Sequence, residues 1–199
     1  MESRPSRPLA GRPARQHPRP TPIPPRRLDA PRSADGGLTW FAPYRVPLTN
    51  PHSPILLTDG RTWPWLSTIP TRPGDNPENY HELHAVETAD GRLLAHIRNH
   101  NPANERETLP SESSDGGKSW SLRRPIGVWG LPSHPLRLRN GNLLVAYSYR
   151  RPPRGNHARI STDQGRTWSE PIILSDNGAG DRGYPSTVEL PSGQLLTLW

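Results

Sequence analysis

Apolar and polar positions alternate in three segments, each interrupted by a turn that contains glycine: AVETADGRLLAHI (85–97), PLRLRNGNLLVAY (135–147) and TVELPSGQLLTLW (187–199). A period of two predicts strands, and the Asp-Gly, Asn-Gly and Ser-Gly centres predict tight hairpin turns. No segment carries the 3.6-residue apolar period of an amphipathic helix.

A second repeat runs between the hairpins. SADGGLTW (33–40), SSDGGKSW (113–120) and STDQGRTW (161–168) all fit SxDxGx(T/S)W. The matched positions are Ser33, Asp35, Gly37 and Trp40; Ser113, Asp115, Gly117 and Trp120; and Ser161, Asp163, Gly165 and Trp168. Physically the pattern reads as a turn. Ser and Asp oxygens bind the turn's own amides, Gly supplies a positive φ, and Trp returns to the sheet as an apolar anchor. These boxes are therefore expected to be structural and not catalytic.

Gly91, Gly117, Gly141, Gly165 and Gly193 mark a strict alternation of hairpin and box, with steps of 26, 24, 24 and 28 residues. Two hairpins in a period of about 50 residues make a four-stranded antiparallel sheet, the blade of a β-propeller. The first period is short. Trp40 is followed by Trp63 after 23 residues, whereas Trp120 and Trp168 are 48 apart, so about half a blade is expected to be missing between Asp59 and Trp63.

Composition adds a boundary. The first 32 residues hold eight arginines against Glu2 and Asp29, together with nine of the 27 prolines, while the whole chain carries only +7. The predicted organisation is a disordered Arg/Pro-rich tail over 1–32 and an incomplete propeller over 33–199. The basic charge belongs to the tail, so the folded part is not expected to bind nucleic acid. For the tail, a solvated segment and a contact with nucleic acid or acidic membrane surfaces both stay open. No segment is long and apolar enough for a membrane span, and the N-terminus lacks the apolar core of a secretory signal, so a cytoplasmic location is the default expectation. The absence of cysteine excludes disulfides and thiolate metal sites. His81, His84, His96, His100, His134 and His157 follow no ligand spacing, so neither metal nor cofactor is expected, and polar or substrate-lining roles are assigned to them.

The boxes and hairpins resemble the Asp-box (BNR) repeats of the sialidase-like family. The resemblance covers residues 33–199 and implies an all-β fold, a partial six-bladed β-propeller of sialidase type with about three blades of four-stranded antiparallel sheet. Six such blades need about 300 residues, so this chain is expected not to close the ring, to expose open sheet edges, and to self-associate through them.

The same resemblance implies an exo-acting, retaining glycosidase with a tyrosine nucleophile. An anionic sugar repels a carboxylate nucleophile, whereas a phenol approaches neutral and yields its proton to a glutamate. Arginines hold the sugar's carboxylate through their planar forks. In HELHAVETADGRLLAHIRN (81–99), Glu82 and Arg98 stand eight residues on either side of Asp90, at one end of one hairpin. The resemblance makes Glu82 the base and Arg98 a carboxylate-binding arginine. In RGYPSTVELPSGQLL (182–196) it makes Tyr184 the nucleophile; a tyrosine packed between blades is the alternative. Arg154, seven residues before Ser161, fits a further substrate-binding arginine, with Arg150 and Arg151 as rivals. The family's first arginine, from an (F/Y)RIP motif, and its acid/base Asp are not found, since the YRVP of Arg45 follows a box instead of preceding the first one. An acidic sugar or glycan is the expected substrate, and the isolated chain is expected to have little sialidase activity. A non-catalytic propeller that binds glycan or protein is the competing reading.

Overall fold

The computed structural model describes residues 67–176 and 183–199, with the short stretches 28–30, 35, 38–39, 41–42 and 44–46. Two strands, β1 (Leu28–Ala30) and β2 (Tyr44–Val46), pair antiparallel. Strand β1 thus falls inside the segment expected to be a tail, where its backbone pairs with β2. The rest of that segment, and the junction between Asp59 and Trp63, lie outside the described residues.

The three predicted hairpins all form. Strands β3 (Tyr80–Glu87) and β4 (Leu93–Asn99) join in a sheet of order β3-β4-β5 with β5 (Thr108–Ser113). A four-stranded sheet follows, β6 (Gly130–Arg137), β7 (Leu143–Tyr149), β8 (Gly155–Ser161) and β9 (Ile172–Ser175), in chain order. The third hairpin is β10 (Ser186–Glu189) with β11 (Leu195–Leu198). All three turns close in one way. Thr88 N donates to Arg92 O, Leu138 N to Asn142 O and Leu190 N to Gln194 O, each at 2.8–2.9 Å. Gly91, Gly141 and Gly193 each sit at φ of 80–86°, in the region an L side chain disfavours. Among the described residues the one helical element is a 3-10 turn, Pro77–Asn79.

The second and third boxes have one geometry. Ser113 Oγ accepts from Gly117 N and donates to Asp115 Oδ1, both at 2.8 Å, and Ser161 does the same with Gly165 and Asp163. Asp115 also accepts from the Ser119 amide and hydroxyl, and Asp163 from those of Thr167. In the first box Asp35 accepts from the amides of Leu38 and Thr39, while Ser33, Gly37 and Trp40 lie outside the described residues. These donors hold Asp115 well below the usual carboxylate range, with Ser119 the main cause, and Asp163 at about 2. Trp168 then packs on Val128, Val145 and Tyr147 in the core.

The first complete sheet has three strands where four were expected. Its outer edge is followed by residues 121–124, which make two backbone bonds to β5, Ser121 N to Glu112 O and Arg124 N to Pro110 O. Pro110 has no N–H to return, and the Ser121 hydroxyl takes the Glu112 amide, so the ladder is half made.

Strands β4 and β7 are buried along most of their length, since neighbouring sheets cover both faces. Side chains alternate across the β3–β4 hairpin. Glu82, His84, His96 and Arg98 line a cavity of about 100 Å³ on one face. Ala85, Leu93, Ala95 and Ile97 line the opposite face. The polar face looks toward β6 and β10, and there the candidate site lies.

Candidate active site

Three consecutive sheets contribute to the cavity. Glu82 comes from β3, Arg98 from β4, Ser133 and His134 from β6, and Tyr184, Pro185 and Ser186 from the start of the last hairpin. The β3–β4 ladder runs from Leu83↔Ile97 to Glu87↔Leu93 and shifts between Tyr80 and Leu83, so the regular pairing stops beside Glu82. Gly183, at φ 75°, precedes Tyr184, and a Cβ on it would lie 3.2 Å from the Trp199 carbonyl carbon, so glycine lets the chain pass close to the Trp199 backbone.

The structure brings together three of the four sequence-predicted functional residues. Arg98 Nη1 stands 3.2 Å from both carboxylate oxygens of Glu82 and donates to Tyr184 Oη at 3.2 Å. Tyr184 Oη donates to Glu82 Oε1 at 3.4 Å. Arg98 Nε donates to His100 Nε2 at 2.8 Å. The glutamate and arginine side chains are 14% and 16% exposed, whereas Tyr184 is 52% exposed and reachable from solvent. The fourth residue, Arg154, is exposed and is not among the residues lining the cavity. Of its rivals, Arg150 Nε donates to Leu131 O at 2.7 Å and the Arg151 guanidinium covers the Trp129 ring at 3.5 Å. For Arg45 only the backbone is described, paired with Asp29.

Histidines form the remaining wall. His84 and His134 meet edge to face with ring centroids 4.3 Å apart, and Thr187 N donates to His134 Nδ1 at 3.3 Å. This ties β3, β6 and β10 together around the cavity. Burial lowers the pKa of His134 and pushes His96 down to about 3, with His84 and Arg124 adding to the shift in His96. His100 is lowered by burial, then by Arg98 and His81. The sequence assigned these histidines polar or lining roles but did not pair His100 with Arg98. The signal was present, because residues two apart on an extended segment share a face. No group of three or more His, Cys, Asp or Glu among the described residues could hold a metal ion.

The trio brings a phenol, a carboxylate and a guanidinium into mutual contact. The phenolic hydroxyl donates to Glu82 Oε1, and the Arg98 guanidinium donates to the phenolic oxygen.

Antiparallel sheets whose outer segments are connected by Asp-box turns, with this polar cluster where three sheets converge, define a partial β-propeller of the sialidase-like kind. The chain belongs to the BNR repeat-like domain family, whose pattern matches residues 58–196. No curated protein matches it. Among solved structures it is similar to a protein of unknown function from Dyadobacter fermentans, with 26% identity, 83% of this chain and 38% of that chain covered, and a TM-score of 0.57. It is also similar to the GH93 α-L-arabinofuranosidase of Fusarium graminearum in complex with arabinobiose, at 18% identity, 66% and 43% coverage, and a TM-score of 0.49. A Hadza microbial sialidase matches at 23% identity, 48% and 26% coverage, and a TM-score of 0.38. The chain spans less than half the length of these structures.

Proposed function

We propose that this propeller is the catalytic part of a retaining glycoside hydrolase of exo-sialidase type acting on an acidic sugar. The observation that carries the reading is the contact of Tyr184 Oη with both Glu82 Oε1 and Arg98 Nη1. In the first step Glu82 takes the phenolic proton, Tyr184 Oη forms a bond to the anomeric carbon as the bond to the aglycone oxygen breaks, and the aglycone leaves as its alcohol with a proton from solvent. In the second step water bonds to the anomeric carbon as the bond to Tyr184 Oη breaks, Glu82 returns its proton to the phenol oxygen, and the water's second proton passes to solvent, leaving the free sugar with its anomeric hydroxyl. Arg98 pairs with the sugar carboxylate and faces the phenol oxygen as it gains charge. Protonation of the leaving oxygen requires an acid, and among the described residues no Asp lines the cavity.

A second reading, a glycan-binding propeller without turnover, draws on one fact: among the described residues Arg98 is the one arginine lining the cavity. The purified protein assayed with a fluorogenic sialoside separates the two. Release of sialic acid that Tyr184→Phe lowers by at least about 100-fold supports the enzyme. Binding of N-acetylneuraminate that persists in Tyr184→Phe, with no turnover by either form, supports the binding module. Turnover of arabinobiose in place of the sialoside would overturn the acidic-sugar assignment.

A further inference from the structure

Arg98 makes a contact with His100 that the chemistry above does not use. His100 follows β4 directly, and its backbone N–H donates to Asn79 O at 2.9 Å, which fixes where the ring begins. Its Nε2 then receives Arg98 Nε at 2.8 Å. A guanidinium only donates, so His100 Nε2 must be bare, and the neutral ring must carry its proton on Nδ1. A protonated imidazolium has N–H on both nitrogens and would present a donor to a donor.

The consequence runs through the planar guanidinium. Fixing Nε fixes the plane in which Nη1 lies, and Nη1 is the atom that meets Glu82 and Tyr184. The groups that face His100 come from three segments. Arg98 precedes it on β4, His81 and Glu82 face it from β3, with the His81 ring edge-on at a centroid distance of 4.7 Å, and Glu105 faces it from the connection between β4 and β5. Burial, Arg98 and His81 oppose its protonation, while Glu82 and Glu105 favour it.

We propose that His100 is a positioning residue for Arg98, and through Arg98 for the Tyr184–Glu82 pair, and that it acts only as the neutral imidazole protonated on Nδ1. The inference deepens the glycosidase reading and rests on it for the effect on turnover, but its geometry is measured without any substrate.

The test is nitrogen-15 NMR of the full chain. Near neutral pH the His100 ring is expected to show a protonated Nδ1 and a bare Nε2, opposite to the tautomer that free histidine prefers. The Arg98 Nε–H is expected to exchange at least about tenfold more slowly than that of an exposed arginine, as a hydrogen bond to a charged donor implies. That protection should disappear as His100 titrates in acid. In His100→Gln the amide oxygen accepts at every pH, so protection should persist into acid; in His100→Leu it should be absent throughout. A protonated Nε2 in the wild-type ring, which needs no variant to be seen, would overturn the proposal. Equal Arg98 protection in wild type and His100→Leu would overturn it too. If the tautomer and protection are as expected and no sialoside is turned over or bound, positioning by His100 stands and the glycosidase reading falls. If a sialoside is turned over and the tautomer is reversed, the opposite holds.

Discussion

Tyr184 Oη lies 3.4 Å from Glu82 Oε1 although 102 positions of chain separate the two residues. The gap closes because the first and the last hairpins both converge on the intervening β6 sheet, so the pair reports the arrangement of three sheets as well as a candidate chemistry. Replacing Tyr184 by Phe keeps the ring and removes the hydroxyl. Because the side chain is half exposed, unfolding stability should change by less than about 0.5 kcal/mol, read from a thermal melt. A much larger loss would make Tyr184 a packing residue between blades.

Glu82 and Arg98 should be energetically coupled. Both side chains are mostly buried, so each lost partner leaves a charge poorly solvated. In a double-mutant cycle of Glu82→Gln and Arg98→Met, urea unfolding should give a coupling of about 1–2 kcal/mol, discounted for the residual exposure. Strict additivity would show that the contact contributes nothing to the fold.

Gly165 and Gly91 separate two costs of the same substitution. Both have positive φ, 84° and 80°. A Cβ at Gly91 meets nothing within 4 Å, whereas one at Gly165 would stand 2.6 Å from Leu94 Cδ2, a fully buried side chain. Gly91→Ala should therefore cost about 1 kcal/mol from backbone strain alone. Gly165→Ala should cost about 2 kcal/mol or more, since the box turn must also move off Leu94. Equal midpoints in urea would contradict the packing of the box against β4.

His96 should make the fold acid-sensitive well above the carboxylate range. Its ring is buried, its Nε2 has no hydrogen-bond partner, and its folded pKa is about 3 against an ordinary 6.5. The unfolded chain therefore binds the extra proton first, and stability falls as pH drops from 6.5 toward 3, by up to about 1.4 kcal/mol per unit. His100, His134 and His157 are lowered as well and add with the same sign. Asp163, at about 2, contributes only below its ordinary 3.8. Proton uptake on unfolding near pH 5 should drop by about one in His96→Leu; an unchanged uptake would mean that His96 is hydrated or charged in the folded protein.

Much of this architecture is legible in the chain because its signals are local. A Gly at the centre of each hairpin demands positive φ whatever surrounds it, and Ser113, Asp115 and Gly117 satisfy one another within eight residues. The placement of Glu82 and Arg98 eight residues either side of Asp90 likewise follows from the symmetry of one antiparallel turn. The missing fourth strand beside β5 was less visible, since it depends on which side of the strand the absent N–H of Pro110 faces. Pairing of Leu28–Ala30 with Tyr44–Val46 was hidden by arginines and prolines that report composition and not backbone partners.

What the sequence determined by itself was the repeat: strands of period two, turns of defined chirality, and boxes that close on their own side chains within a few residues. Only the tertiary structure decided which of the candidate arginines meets Tyr184, that Arg98 Nε meets His100, and that Arg154 stands outside the cavity. Those facts depend on how one sheet is rotated against the next. That rotation is set by side-chain packing summed over whole faces, and no local pattern of residues records it.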